Sequence, residues 1–212
     1  MSMLPRAIPL FPLPNTVLFP NVFLPLHIFE PRYRAMVADA LEGDRLIGMV
    51  LLKPGYEVEY EGRPAVYPIG CAGVITHTER LPDGCYNIVL RGLEKFRVAD
   101  EEGGKAYRVG VVEHLPELID EAARDELHRQ RQRLEAVLAA ALERAGSEPR
   151  FPPAIPDDDL VNGLSQYMRL APIERQALLE RDGVLDRCRS LIDLIQMNGM
   201  AAGLNWSGRA SH

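Results

Sequence analysis

The spacing of apolar positions changes near residue 118. Before it, short runs rich in branched and aromatic residues alternate with turn signals, over Val17–Phe23, Leu46–Leu52, Cys71–Glu79, Tyr86–Val98 and Tyr107–His114. Runs of this length and composition, bounded by Gly, Pro and Asp, predict strands of an antiparallel sheet or barrel. In the fourth run, Tyr86, Ile88 and Leu90 alternate with Asn87, Val89 and Arg91, the pattern of a strand buried on one face. Asp83-Gly84 and Gly103-Gly104 tolerate a positive φ and predict the hairpin turns between neighbouring strands.

One helix interrupts this β-rich part. Glu30-Pro31 marks its start, because proline at the first helical position loses no needed hydrogen bond, and Gly43 marks its stop. Tyr33, Met36, Val37, Ala40 and Leu41 recur at three-four spacing and give it one apolar stripe. After residue 118 the helical period takes over. Leu127, Leu134, Val137, Leu138, Ala141 and Leu142 mark a long helix from near Asp120 to Gly146. A proline-rich loop, 147–156, leads to a helix headed by Asp157-Asp158-Asp159 and carrying Leu160, Val161, Leu164, Tyr167 and Met168. Pro172 opens another helix, and Gly183 precedes a last one with Leu185, Cys188, Leu191, Ile192 and Ile195 on one side. The expected class is α+β, a β-rich pseudo-barrel over 1–118 followed by a helical bundle over 119–198 and a frayed tail over 199–212.

Composition narrows the function classes. The chain has 212 residues, 47% apolar, enough for a packed core. Its net charge of −6 is spread over both parts, which argues against sequence-independent nucleic-acid binding, since phosphate neutralisation needs a basic surface. Three cysteines, Cys71, Cys85 and Cys188, do not suggest a disulfide framework and point to a reducing cytoplasm. The proline-rich N-terminus cannot form a signal helix, and no later apolar run is long enough to span a bilayer.

Catalytic chemistry has no visible centre. Gly104-Lys105 fails as a phosphate loop, because Ala106 stands where Ser or Thr would hold magnesium and Ala99 where the first glycine would be. Ser207 lacks the glycine of a nucleophile elbow, with Asn205 in its place. Cys71, His77 and Cys85 match no zinc spacing, so no metal and no cofactor is expected. His27, in an apolar run, reads as a packing histidine bonded to neighbouring backbone. The arginines of Arg124–Arg133 interleave with Asp125 and Glu126 and read as a solvated helix face with intrahelical pairs, and Asp157–Asp159 as helix caps.

The segment Pro9-Leu10-Phe11-Pro12-Leu13-Pro14-Asn15-Thr16-Val17-Leu18-Phe19-Pro20, followed by Leu24-Pro25-Leu26-His27-Ile28-Phe29-Glu30-Pro31-Arg32-Tyr33, strongly resembles the N-terminal, substrate-binding domain of the ATP-dependent protease Lon. Ile47-Gly48-Met49-Val50, Gly70-Cys71-Ala72-Gly73-Val74-Ile75, Pro82-Asp83-Gly84 and Gly92-Leu93-Glu94-Lys95-Phe96-Arg97-Val98 continue the resemblance in the family's order. Two positions depart from the pattern: Asn21 stands in place of glycine and Lys95 in place of arginine. The resemblance implies a PUA-like β-rich domain followed by helices. It also implies recognition of unfolded or partner polypeptides without peptide cleavage, because Lon's ATPase and serine-lysine protease residues have no counterpart here. The alternative borrowed from the PUA-like architecture is an RNA-binding module, which the acidic balance disfavours.

The expected contact surface is Phe19, Pro20, Asn21 and Phe23. Pro20 cannot donate a ladder hydrogen bond and Asn21 suits a left-handed turn, so the chain should leave its sheet here with Phe19 at the rim. The same alternation of Val17, Phe19 and Phe23 also fits a strand that buries one face.

Overall fold

The computed structural model describes residues 4–59, 62–144 and 155–198. It divides into two compact units, Met1–Glu117 and Leu118–His212. The first holds β1 (Ala7–Leu13), β2 (Phe23–Ile28), α1 (Pro31–Glu42), β3 (Leu46–Leu51), a 3-10 turn (Tyr56–Glu59), β4 (Ile69–Arg80), β5 (Tyr86–Glu102) and β6 (Arg108–Leu115). The second holds α2 (Glu121–Arg144), α3 (Asp157–Tyr167), α4 (Pro172–Leu179) and α5 (Val184–Asn198).

The strands run in the order β2-β5-β4-β3-β1-β6, and β6 pairs again with β5, closing a barrel of β1, β3, β4, β5 and β6. Closure depends on the length of β5. Its first half pairs with β2 at Tyr86 to Arg91, and its second half, from Lys95 to Glu102, pairs with β6 along the same edge. Register shifts at Ala72/Gly73 and Ile75/His77 in β4 and at Val98/Asp100 in β5 bend these long strands, as bulges do. Phe96, fully buried, fills the interior above Gly48 and Gly70, packed with Ile8, Leu10, Val50, Ala72 and Val112.

Two sequence expectations need correction here. The sheet is mixed, because β1 runs parallel to β3 while its other pairings are antiparallel. The expected strand over Val17–Phe23 is largely irregular chain, and ladders form on either side of it as β1 and β2. Pro9 and Pro12 conceal β1 in the sequence. In the fold, Pro9 lies where β1 is paired only with β6, and Pro12 where it is paired only with β3, so each occupies a place with one free edge.

Helix α1 begins as expected, with Glu30 as N-cap and Pro31 in the first turn, and buries Tyr33, Met36, Val37 and Ala40. The Phe11 and Tyr33 rings, 4.5 Å apart, fix it to β1. Gly43 ends it at φ −111°, and the left-handed residue that turns the chain into β3 is Arg45, at φ 61°, whose N–H donates to the Ala40 carbonyl at 2.9 Å. Gly84 and Gly104 take the positive φ expected of the two hairpins.

In the helical unit, Leu127, Leu134, Leu138 and Ala141 of α2 and Cys188, Leu191, Ile192 and Ile195 of α5 are buried, as their spacing predicts. Tyr167, placed on the apolar side of α3 by the same spacing, is exposed. The arginine run is not wholly solvated. Arg131 is only 9% exposed and donates to Glu135 at 3.0 Å, Asp157 at 2.7 Å and the Ile155 carbonyl at 2.5 Å. The aspartate triplet correspondingly lies in the first turn of α3, after Pro156 as N-cap, with no side-chain cap; Asp157 serves as Arg131's partner instead. Arg187, fully buried on α5, donates to the Leu178 carbonyl at 3.1 Å and to Asn162 Oδ1 at 2.6 Å, linking the end of α4 to α3. The expected frayed tail, 199–212, lies outside the described residues.

Candidate polypeptide-contact surface

The turn between β1 and β2 separates the four expected contact residues. Phe19 is 0% exposed, so its placement at the rim is overturned. Pro20 is buried with it. The turn itself is as expected: Asn21 sits at φ 60°, exposed, and its N–H donates to the Gly92 carbonyl at 2.9 Å. The Gly92 N–H donates in return to the Val22 carbonyl at 2.9 Å. These two bonds, from Asn21 to Gly92 and from Gly92 to Val22, hold the turn against β5, with Phe19 facing inward. Phe23, one residue past Val22, emerges 52% exposed.

Phe23 begins a row along β2. Phe23, Pro25 and His27 are exposed at alternate positions, and Phe29, 62% exposed, follows in step. The His27 and Phe29 rings lie 6.2 Å apart and nearly parallel. His27 is therefore neither buried nor bonded to backbone as the sequence suggested. Its Nδ1 lies 2.8 Å from Asn87 Oδ1, and Asn87 Nδ2 donates to Glu79 Oε2 at 2.9 Å, a polar chain that holds the ring upright across β5 and β4. Since β2 ends the sheet order, this row lies on an edge strand. Phe29 and Pro25 were absent from the expected contacts, although the period-two spacing 23, 25, 27, 29 carried the signal.

A second feature of the β unit is a cleft of about 290 Å³ lined by Arg32, Arg63, Lys105 and Arg108, with Tyr33 and Tyr107 among its walls. Asp39, outside the lining, accepts from Lys105 Nζ at 2.8 Å and the Tyr107 hydroxyl at 2.7 Å. These donors, Lys105 first, hold the Asp39 carboxyl below its ordinary range. Burial, with Asp39 beside it, pushes the Tyr107 hydroxyl well up, so it stays a donor.

The other candidate centres do not assemble. Cys71 is buried in β4 opposite Lys95, His77 is exposed further along the strand, and Cys85 lies past the hairpin. Among the described residues no group of three His, Cys, Asp or Glu side chains is placed to hold a metal. Gly104-Lys105 lies in the β5–β6 hairpin and opens no helix. Ser207 lies outside the described residues. Lys95, only 3% exposed, reaches Glu117 at 2.9 Å through a single ammonium, where an arginine would present a fork. No helix among the described residues is long and apolar enough to cross a membrane.

Comparison with known proteins agrees with this fold. The family model for the ATP-dependent protease La (LON) substrate-binding domain matches residues 7–197. The Lon protease of Dictyoglomus thermophilum is 26% identical over 200 residues, covering 89% of this chain and 24% of that protein. That of Flavobacterium johnsoniae is 27% identical over 192 residues, covering 87% and 23%. The chain thus spans about a quarter of the length of these relatives. Among solved structures, the Lon N-terminal domain protein from Xanthomonas campestris superposes with a TM-score of 0.59 at 25% identity, covering 88% of this chain and 97% of that one. The N-terminal domain of the Mycobacterium avium complex Lon protease shares the fold, with a TM-score of 0.66 at 18% identity over 90% of this chain and 98% of that one. On the match across residues 7–197, the chain belongs to the Lon substrate-binding domain family.

Proposed function

We propose that this protein is a non-catalytic recognition module that binds exposed apolar segments of unfolded or partner polypeptides and presents them to a protease. The observation that carries this reading is the exposed row Phe23, Pro25 and His27 on the edge strand β2, continued by Phe29 just past its end, within a family described by substrate binding. Aromatic side chains held by a sheet lose little conformational freedom on binding and bury a large apolar area. An edge strand adds backbone donors and acceptors for an extended segment. Asn21 borders this row at the turn and belongs to the surface; Phe19 and Pro20 support it from beneath. Three free, buried cysteines support a reducing, cytoplasmic setting.

The test is binding of a permanently unfolded, carboxyamidomethylated polypeptide to the full chain. Phe23→Ser and Phe29→Ser should each weaken binding by about tenfold while leaving the fold intact, on the basis of one aromatic ring's buried area. Binding indifferent to both substitutions contradicts the reading, as does ATP-dependent cleavage of the polypeptide by the isolated chain.

A further inference from the structure

The cleft beside α1 is lined by cations whose acidic partners lie outside the lining. Among the described residues, its lining carries four cations, Arg32, Arg63, Lys105 and Arg108, and no carboxylate. Three acids outside the lining pair with them. Glu30 receives Arg32 at 2.9 Å, Asp39 receives Lys105 at 2.8 Å, and Glu101 is paired through both oxygens with Arg108, which also donates to the Pro64 carbonyl. Arg63 reaches the already engaged Glu101 only at 3.9 Å. Arg63 and Lys105 remain about half exposed, at 50% and 55% of their side chains. Arg32 lies 4.6 Å from the centre of the Tyr33 ring, which fixes its plane.

We propose that this cleft binds a carboxylate of the client polypeptide, as a C-terminal carboxyl group or an acidic side chain, with Arg63 and Lys105 as the contacting cations; this rests on the polypeptide-binding reading above. Planar guanidinium forks match carboxylate geometry, and Arg32 and Arg108 are already held in fixed orientation by their own partners. The remaining walls include Pro12, Leu52, Pro64 and Ala106 beside the two tyrosines, which suits a charge carried on a compact, partly apolar body. A space of about 290 Å³ suits one or two residues of a chain end. The carboxylates paired with the cations also limit the field to short range. Such a field favours a single charge docked in the cleft over a polyanion, whose affinity depends on many neutralised phosphates.

The experiment uses the full chain and three fluorescent peptides of one apolar sequence: one with a free C-terminal carboxyl, one amidated, and one amidated with an internal glutamate. At least one acidic peptide should bind about fivefold more tightly than the neutral amidated one, a preference that Arg63→Gln and Lys105→Gln remove. Arg63→Gln should melt with the wild type, whereas Lys105→Gln removes the partner of Asp39 and should melt slightly lower, so binding is compared at matched folded fraction. Equal binding of all three peptides overturns the proposal, as does a preference that survives both substitutions. A single-stranded RNA that binds through Arg63 while the acidic peptides show no preference also overturns it. The neutral amidated peptide separates the two readings. If it binds in a Phe23-dependent manner while charge makes no difference, the polypeptide reading stands and the carboxylate site falls.

Discussion

Asn21 donates its backbone N–H to the Gly92 carbonyl at 2.9 Å just before the chain enters β2. A Cβ at 92 would stand 2.0 Å from the carbonyl oxygen of Phe19. The contact fixes how the chain enters β2 and hence the facing of Phe23. Gly92→Ala should therefore cost about 3 kcal/mol, read from chemical denaturation, because backbone must move to admit the methyl group. Asn21→Gly should be close to neutral and Asn21→Val should cost about 1–2 kcal/mol, since φ is 60°. A stable Gly92→Ala variant would contradict this account of the turn.

Phe19 and Phe23 should separate stability from binding. Phe19→Ala opens a cavity in the core and should cost about 3–5 kcal/mol, with binding per folded molecule unchanged. Phe23→Ala should cost less than about 1 kcal/mol and weaken binding. Denaturation and titration of the same two preparations decide the assignment.

Much of the fold was legible because both periodicities were clean. The hairpin glycines, the Pro31 helix start and the apolar stripes of α1, α2 and α5 follow from local rules. What local rules could not show was tertiary. Pro9 and Pro12 conceal a strand whose edge is free just where they sit, and the parallel β1–β3 pairing joins segments far apart in sequence. The site was half legible: Asn21's left-handed turn follows from residue type, whereas the inward facing of Phe19 depends on Gly92, some seventy residues away. Arg131 looked solvated because its partner, Asp157, lies 26 residues further along the chain.

That pair gives a third prediction. Arg131 and Asp157 have side chains only 11% and 20% exposed, so Asp157→Asn should leave Arg131 with Glu135 and the Ile155 carbonyl as its partners and cost about 1–2 kcal/mol. In a double-mutant cycle with Arg131→Met, the coupling should be about 1–3 kcal/mol. Additive losses would show that the pair contributes nothing of its own.

Asp39 supplies a pH dependence. Lys105 first, and then Tyr107, hold its folded pKa below the unfolded value. The unfolded chain thus takes up this proton at higher pH than the folded one. The stabilisation is complete above the ordinary aspartate range and is lost as pH falls through the lower, folded value. Asp39→Asn should lower Tm near neutral pH, and the difference from wild type should shrink in acid. A gap that stays constant from neutral to acid would contradict the assignment.

The most direct measurement is the affinity of the full chain for an unfolded, charge-neutral polypeptide, taken by titration for the wild type and for Phe23→Ser/Phe29→Ser at matched folded fraction. The account predicts saturable binding by the wild type and its loss, by about a hundredfold if the two rings act independently, in the double variant. Undiminished binding in the double variant, or no binding by the wild type, would contradict it.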